Sequence, residues 1–197
     1  MTFDQIYTNA SKWIKRNARP LESARWSYLF ENGTQEDVIH KLEAFQNEDG
    51  GFGHGLEPDI AMPDSSAIAT WTACQILMEV DVATEHPIVQ KTIQYLVNSY
   101  DRELGYWWTV TPKFTNHPHA PHWAYRENVQ ESWMFNPSVE LAAYMIHWSA
   151  ATSEAAQIGW SVFEKAKERL LACDEMDFHE INNYQRAIQL LAHEIDD

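Results

Sequence analysis

The fold class is decided by the stretch between residues 65 and 80, which reads SSAIATWTACQILMEV. A helix that begins here at Ser65 or Ser66 carries apolar side chains on nearly every face, and only a helix surrounded by other protein tolerates that pattern. The neighbouring helices, which begin near Thr34 and Pro87, each carry one apolar stripe opposite a polar face. The sequence therefore predicts a buried inner helix between two half-exposed outer helices.

The same alternation continues toward the C-terminus. The segment after Pro137 is again apolar nearly all round, a one-sided stripe begins at Ser153, and a last stripe runs from Ile181 to Ile195. No segment shows a persuasive period of two, so we expect an all-α protein of about four helical hairpins stacked around a common interior. A helical bundle or a HEAT-like solenoid produces a similar alternation, and the loops must discriminate between these folds.

Length, composition and charge limit the function classes. The 197 residues are predicted to form one domain, 1–197, and 45% hydrophobic and 13% aromatic residues supply a large core. A net charge of -15 repels phosphate backbones and anionic lipids, which argues against nucleic acid or an acidic membrane as the partner. No secretory signal or membrane-spanning stretch is evident, so we expect a soluble, cytoplasmic protein.

Two outer-to-inner junctions carry a related motif. Residues 42–53 read LEAFQNEDGGFG, and a degenerate copy between Tyr95 and Trp107 keeps an aromatic, a glycine and a second aromatic. Together with residues 63–71, PDSSAIATW, these motifs resemble the repeat of squalene cyclases, other terpenoid cyclases and the β subunits of protein prenyltransferases. The resemblance covers roughly residues 34 to 108 and implies an α/α-toroid-like array. It also implies that Gln46 hydrogen-bonds the turn and that Phe52 packs on the neighbouring hairpin.

The sequence differs from that family in the residues that carry out the family's reactions. Neither the Asp-x-Asp-Asp acid of the squalene-hopene type nor the zinc-binding Asp-x-Cys pair of protein prenyltransferases has a counterpart in this sequence. The resemblance therefore implies neither reaction. Since a full ring has six hairpins, four would make an incomplete ring or one that closes through a partner subunit, which leaves an oligomer open.

An aromatic and histidine-rich segment lies between the helices, at residues 102–135. Such a long connection is typical of a lid or a binding loop, and we expect it to fold over the same end of the array as residues 53–64. Candidate ligand-binding residues in it are Trp108, His117, His122 and Trp123, and His119 is a candidate acid or base. Alternatively, the aromatic rings only cover the end of the core. The intervening prolines oppose helical metal-ligand spacing, and a metal site is left open.

The loop before the inner helix supplies the candidate carboxyl groups. Glu57, Asp59 and Asp64 are candidate catalytic residues, and His54 is a candidate ligand contact, because this loop is expected to face the mouth of a cavity. Capping of the helix is the alternative explanation for the acids. Two further candidates on inner helices, Trp71 and Glu140, would line the cavity wall, unless they serve only as core and cap.

Taken with the resemblance, these residues favour a protein with a small-molecule pocket. Such a pocket would suit an enzyme that acts on an isoprenoid-like substrate or a glycan, and the sequence leaves open whether the protein is catalytic, which reaction it would perform and which cofactor it would use. The alternative is a non-catalytic binding or scaffold repeat whose aromatic segment docks a partner protein.

Overall fold

The computed structural model of the protein describes residues 2–195 and confirms the all-α prediction for them. They contain ten α-helices and no strand. The helices are α1 Phe3–Asn17, α2 Pro20–Phe30, α3 Gln35–Leu42, α4 Ala67–Glu79, α5 Pro87–Ser99, α6 Val129–Trp133, α7 Ser138–His147, α8 Glu154–Ala172, α9 Phe178–Leu190 and α10 Ala192–Ile195. Short 3₁₀ turns occupy Glu43–Phe45, Pro112–Asn116 and Pro121–Trp123.

The longer helices pack as two rows. In one row α4 packs against α7, which in turn packs against α9, and in the other row α5 packs against α8. The rows are joined because α4 contacts α5 and α7 contacts α8, and α2 contacts α3. The bidentate ion pair of Arg25 with Glu79, at 2.8 Å for both bonds, connects α2 to the end of α4.

Burial distinguishes the inner helices α4 and α7 from the outer helices, as the sequence predicts. Within Ala67–Glu79 every residue is buried or half-buried, and α7 is buried from Ser138 to Ile146. The outer helices α3 and α5 bury one stripe and expose side chains such as Lys41 and Lys91. The contrast follows from composition, because α4 has too few polar side chains for one of its faces to be exposed to water.

In the junction between α3 and α4 the chain reverses direction at Gly50 and Gly51. Gly50 adopts a φ of 89°, and a Cβ there would lie 2.2 Å from the Lys91 carbonyl oxygen. The Gln46 amide donates to the Gly50 carbonyl at 3.0 Å and holds the turn. Beyond it, Phe52 is fully buried and donates its backbone N–H to the Thr70 hydroxyl at 3.1 Å. The turn therefore depends on residues from both hairpins.

The degenerate copy of the motif makes a similar turn. Asp101 and Tyr106 pair through their backbones, and Gly105 between them adopts a φ of 79°. The indole N–H of the buried Trp107 donates to the Leu96 carbonyl at 2.9 Å, and the Trp107 backbone N–H donates to the Ser138 hydroxyl at 3.1 Å. The second junction thus joins α5 to the first turn of α7.

The segment 102–135 packs on the loop 53–64, as expected from the sequence. The Ala61 N–H donates to the Pro118 carbonyl, and the Ala120 N–H donates to the Asp59 carbonyl, both at 2.9 Å. Beneath these bonds lies a separate apolar cluster to which both segments and α4 contribute, formed by Ile60, Met62, Ile68, Val110, Phe114, Trp123 and Val129. The aromatic segment is therefore ordered, and it contains the short helix α6.

Two apolar stripes are less buried than their spacing suggests. In α1 the side chains of Phe3, Ile6 and Trp13 are exposed, because α1 packs mainly on α2. In the last stripe Tyr184 and Leu191 are buried, whereas Ile181, Ile188 and Ile195 are exposed. Every helix of the described chain is too short or too polar to traverse a lipid bilayer.

Candidate functional site

A cleft of about 300 Å³ opens where the inner helices meet the aromatic segment. We call it the aromatic cleft. It is lined by Glu57, Asp59, Ile68, Trp71, His122, Trp123, Trp133, Asn136, His179, Asn182, Asn183 and Arg186. Loop 53–64, α4, the segment 102–135 and α9 each contribute to this lining, so the cleft exists only in the assembled fold.

A stacked pair of indoles forms part of the wall of the aromatic cleft. The rings of Trp123 and Trp133 lie nearly parallel, with centroids 4.6 Å apart and an interplanar angle of 9°. Phe114 supports Trp123 edge-on from the apolar cluster, at 6.4 Å. The 3₁₀ turn Pro121–Trp123 and the helix α6 hold the two indoles. Flat, rigid aromatic walls of this kind suit sugar rings and other compact ligands.

Two deeply buried polar atoms belong to residues of this cleft. Trp123 is 5% exposed and Asn183 is 3% exposed, and within residues 2–195 neither Trp123 Nε1 nor Asn183 Oδ1 has a hydrogen-bond partner. The amide orientation of Asn183 is defined, because its Nδ2 donates to Asn136 Oδ1 at 3.1 Å and to the His179 carbonyl at 2.8 Å. Two residues of the cleft wall therefore each hold one solvent-inaccessible polar atom without a partner, and a buried polar group that lacks a hydrogen bond costs stability.

Two carboxyl groups occupy different environments at the edge of the cleft. Burial raises the pKa of Glu57, and the hydrogen bond from the Thr72 hydroxyl to Glu57 Oε2, at 3.2 Å, only partly opposes that shift. Asp59 is exposed, and its Oδ2 lies 3.8 Å from His122 Nε2. This arrangement pairs a carboxyl that retains its proton to higher pH with a solvated one, which is a suitable combination for acid–base chemistry.

Glu140 lies behind the aromatic cleft and is 1% exposed. Its carboxylate accepts hydrogen bonds from Trp71 Nε1 at 2.7 Å, Gln75 Nε2 at 3.1 Å and the Tyr144 hydroxyl at 2.5 Å. Burial, together with this carboxylate, raises the pKa of Tyr144 well above its ordinary value, so the hydroxyl remains a donor. Glu140 thus supports the cleft wall through Trp71.

The remaining candidate residues lie outside the cleft. The Asp64 carboxylate pairs with Lys113 at 2.9 Å, and this bond lowers the pKa of Asp64. The His54 ring pairs with the Asn47 side chain at 2.9 Å. The Trp108 indole donates to Asp101 Oδ2, also at 2.9 Å.

One of the three histidines of the aromatic segment, His122, lines the cleft, as does His179 of α9. His119 Nδ1 lies 2.7 Å from the carbonyl oxygen of His117, and neither of these two rings lines the cleft. His119 pairs through its backbone with Ile60 of loop 53–64. No group of three or more histidine, cysteine, aspartate or glutamate side chains within residues 2–195 could hold a metal ion.

Five of the candidate residues from the sequence line the cleft, namely Glu57, Asp59, Trp71, His122 and Trp123. The lining residues that were not candidates from the sequence are Ile68, Trp133, Asn136 and four polar residues of α9, namely His179, Asn182, Asn183 and Arg186. The α9 residues stand at positions i, i+3, i+4 and i+7, so they share one helical face. This spacing is the sequence feature that could have indicated a shared site, but a polar stripe on an amphipathic helix normally indicates a solvated surface.

Comparison of the chain with protein-family models, curated proteins and solved structures finds no match.

Proposed function

We propose that the aromatic cleft binds a polyhydroxylated small molecule, with a glycan as the preferred class. The observation that carries this proposal is a stacked indole wall that shares one cleft with carboxyl and amide side chains. A hydroxyl group both donates and accepts, so a polyol can bond to these side chains while its apolar ring face covers an indole. A terpenoid hydrocarbon would leave the polar groups of the lining without partners.

Charge supports a glycan over an isoprenoid diphosphate. Among the cleft residues, Glu57 and Asp59 are acidic and Arg186 is the only lysine or arginine. The whole chain carries a net charge of -15, which disfavours the approach of a diphosphate. A neutral or cationic sugar meets no such repulsion.

We propose that the carboxyl groups of this cleft catalyse the hydrolysis of a glycosidic bond. Glu57 donates its proton to the leaving-group oxygen as the bond from that oxygen to the anomeric carbon breaks. A water oxygen bonds to the same carbon, and the proton of that water passes to Asp59, close to His122. The raised pKa of Glu57 and the exposure of Asp59 support these two roles.

The proposed architecture is an incomplete α/α toroid that resembles the terpenoid cyclase and prenyltransferase repeat. Support comes from the two rows of helices and from the turn in which the Gln46 amide donates to the Gly50 carbonyl. Phe52, buried against the following helix, has the position that the resemblance implies. In this arrangement the cleft lies at the end of the inner row.

Binding is tested by calorimetric titration of the protein with neutral and amino-sugar glycans, prenyl diphosphates and terpenoids. We expect glycan binding, weakened at least threefold in Trp133→Phe, which shrinks the stacked indole wall and keeps an aromatic ring. Trp108→Phe is the matched control, because Trp108 lies outside the cleft. Binding of prenyl diphosphates alone, or equal effects of both variants, would overturn the proposal.

Hydrolysis is tested with the glycan that binds. Glu57→Gln is expected to lower the turnover number at least a hundredfold while the dissociation constant stays within threefold, because proton transfer is lost and the shape is kept. Asp64→Asn is the control, since its carboxyl lies outside the cleft and pairs with Lys113. Equal turnover in wild type and Glu57→Gln would restrict the protein to binding.

A second candidate function, from the class of interaction modules, is assembly with further copies of this chain. Exposed apolar side chains lie on α1, including Phe3 and Trp13, and on α9, including Phe178, Ile181 and Ile188. The two surfaces differ in charge, since α1 contains three basic residues, of which Lys15 pairs with Glu31, against the single acid Asp4, whereas three acids precede α9. The basic residues are Lys12, Lys15 and Arg16, and the acids are Asp174, Glu175 and Asp177. Contact of α1 with α9 of the next copy would be heterologous, and could extend the incomplete ring.

Light scattering during size-exclusion chromatography tests this assembly. We expect a mass above that of one chain that falls with increasing salt, and a return to one chain in Ile181→Asp. Lys41→Asp on the outer face of α3 is the control substitution for an added surface acid. A wild type that stays a single chain at high concentration and low salt would rule out this second candidate.

A further inference from the structure

A second cleft, of about 510 Å³, lies along the same inner helices. We call it the polar cleft. It is lined by Arg25, Gln75, Met78, Glu79, Glu140, Tyr144, Arg186, Gln189 and Leu190. Helices α2, α4, α7 and α9 all contribute to it, so it follows the inner row away from the aromatic cleft.

The two clefts share a residue on α9. Asn182 lines the aromatic cleft, Arg186 lines both clefts and Gln189 lines the polar cleft. These residues are spaced by four and three positions, which places them along one face of the helix. The lining of one cleft therefore continues directly into the lining of the other.

Helix α4 shows the same progression on the opposite side. Trp71 lines the aromatic cleft, and Gln75, one turn further along α4, lines the polar cleft. Both side chains donate to the carboxylate of Glu140, which fixes them relative to each other. From Ile68 to Glu79 the lined face of α4 extends for eleven residue steps, or about 16 Å. Several linked sugar rings, rather than a single ring, would fill that length.

Hydrogen-bonding groups along this length remain accessible. Gln189 and Arg186 are exposed, and Arg186 Nη1 forms an ion pair with Glu140 Oε1 at 3.8 Å, which is too long for a hydrogen bond. By contrast, Arg25 and Glu79 satisfy each other and form a closed edge of the polar cleft. The free N–H groups of Arg186 and Gln189 can therefore donate to ligand hydroxyls.

We infer that the two clefts form one continuous binding groove for a linear oligosaccharide. One ring packs on the indole wall of the aromatic cleft, and the following rings occupy the polar cleft, where Arg186 and Gln189 bind their hydroxyls. This inference rests on the proposed function, since it names the length of the glycan that the same site takes.

The inference is tested by calorimetric titration with a monosaccharide and a series of its linear oligomers. We expect the affinity to increase with chain length until the groove is filled. Gln189→Ala should weaken binding of the longest oligomer about threefold to tenfold, the loss expected for one hydrogen bond, and leave monosaccharide binding unchanged. Gln185→Ala, an exposed glutamine of the same helix outside both clefts, is the matched control.

The outcomes separate the inference from the proposed function. If the monosaccharide and its oligomers bind equally well and Gln189→Ala changes neither affinity, the continuous groove is wrong and glycan binding in the aromatic cleft stands. If no glycan binds the wild type, both the inference and the proposed function fail. Gln189→Ala should retain the wild-type unfolding midpoint, because the side chain is exposed, so a change in binding reports on the groove itself.

Discussion

The indole N–H of Trp71 on α4 donates to the carboxylate of Glu140 on α7 at 2.7 Å, and water scarcely reaches that carboxylate. Gln75 and Tyr144 donate to the same group. A buried anion with three donors is stable only while the donors remain in place. The bond between Trp71 and Glu140 therefore joins two inner helices and orients one wall of the aromatic cleft.

We expect Glu140→Gln to lower the free energy of unfolding by about 1–3 kcal/mol, because the new amide group cannot accept hydrogen bonds at its nitrogen. Urea denaturation followed by circular dichroism measures this loss. Glu154→Gln is the control, since Glu154 pairs with Arg102 on the surface, and it should change stability by less than about 0.5 kcal/mol. Equal stabilities for both variants would contradict the role of Glu140.

The stability of the protein should depend on the protonation of Glu57. Burial raises the Glu57 pKa, so the folded chain binds this proton more tightly than the unfolded chain. The stabilisation is present in acid, and it is lost as the pH rises from the ordinary glutamate pKa through the raised value. Relative to wild type, Glu57→Gln should gain stability between about pH 4 and pH 7, by less than about 1 kcal/mol because solvent screens the group.

Urea midpoints across that pH range measure the effect of Glu57. Glu48→Gln, at an exposed position, is the control and should leave the wild-type pH dependence unchanged. A stability difference between Glu57→Gln and wild type that is constant with pH, or that decreases as the pH rises, would show that burial of Glu57 has no such effect.

The glycines of the first junction should tolerate alanine to different degrees. Gly50→Ala places a methyl group 2.2 Å from the Lys91 carbonyl at a φ of 89°, so we expect a loss of more than about 2 kcal/mol. Gly55 has a φ of 71°, but a Cβ there would make only an ordinary contact, 3.8 Å from the Ile60 carbonyl oxygen, so Gly55→Ala should cost about 1–2 kcal/mol from backbone strain alone. Thermal and urea unfolding of the two variants measure the difference, and a larger loss at Gly55 would contradict it.

Phe114 should hold the aromatic segment against the loop 53–64. It is fully buried in the smaller apolar cluster, and Phe114→Ala is expected to lower the free energy of unfolding by about 3–5 kcal/mol. Hydrogen exchange should become faster at the amides of Ala61 and Ala120, which bridge the two segments. Phe178→Ala, at an exposed ring, is the control, and unchanged exchange in Phe114→Ala would show that the cluster does not hold the segment.

Where the helices lie and which of them are buried could be predicted from the sequence, because both depend on the spacing of apolar residues along a few turns. The apolar surround of Trp71 in residues 65–80 predicts an inner helix, and α4 is one. Gly50 likewise predicts the sharp turn, because the positive φ that this turn requires is a local property of the backbone at that residue. The resemblance to the toroid repeat rests on these local features and stays a prediction.

The composition of the aromatic cleft depends on the tertiary structure. Asn183 and Arg186 enter it because α9 packs against α7, and their spacing along the chain is also that of a solvated helix face. His122 lines the cleft and His119 does not, and the backbone of His119 pairs with Ile60 from a distant loop. Trp71 meets Glu140 across 69 positions of sequence. Local periodicity contains no information about such distant pairs, since they form only when the helices pack and bury their polar groups together.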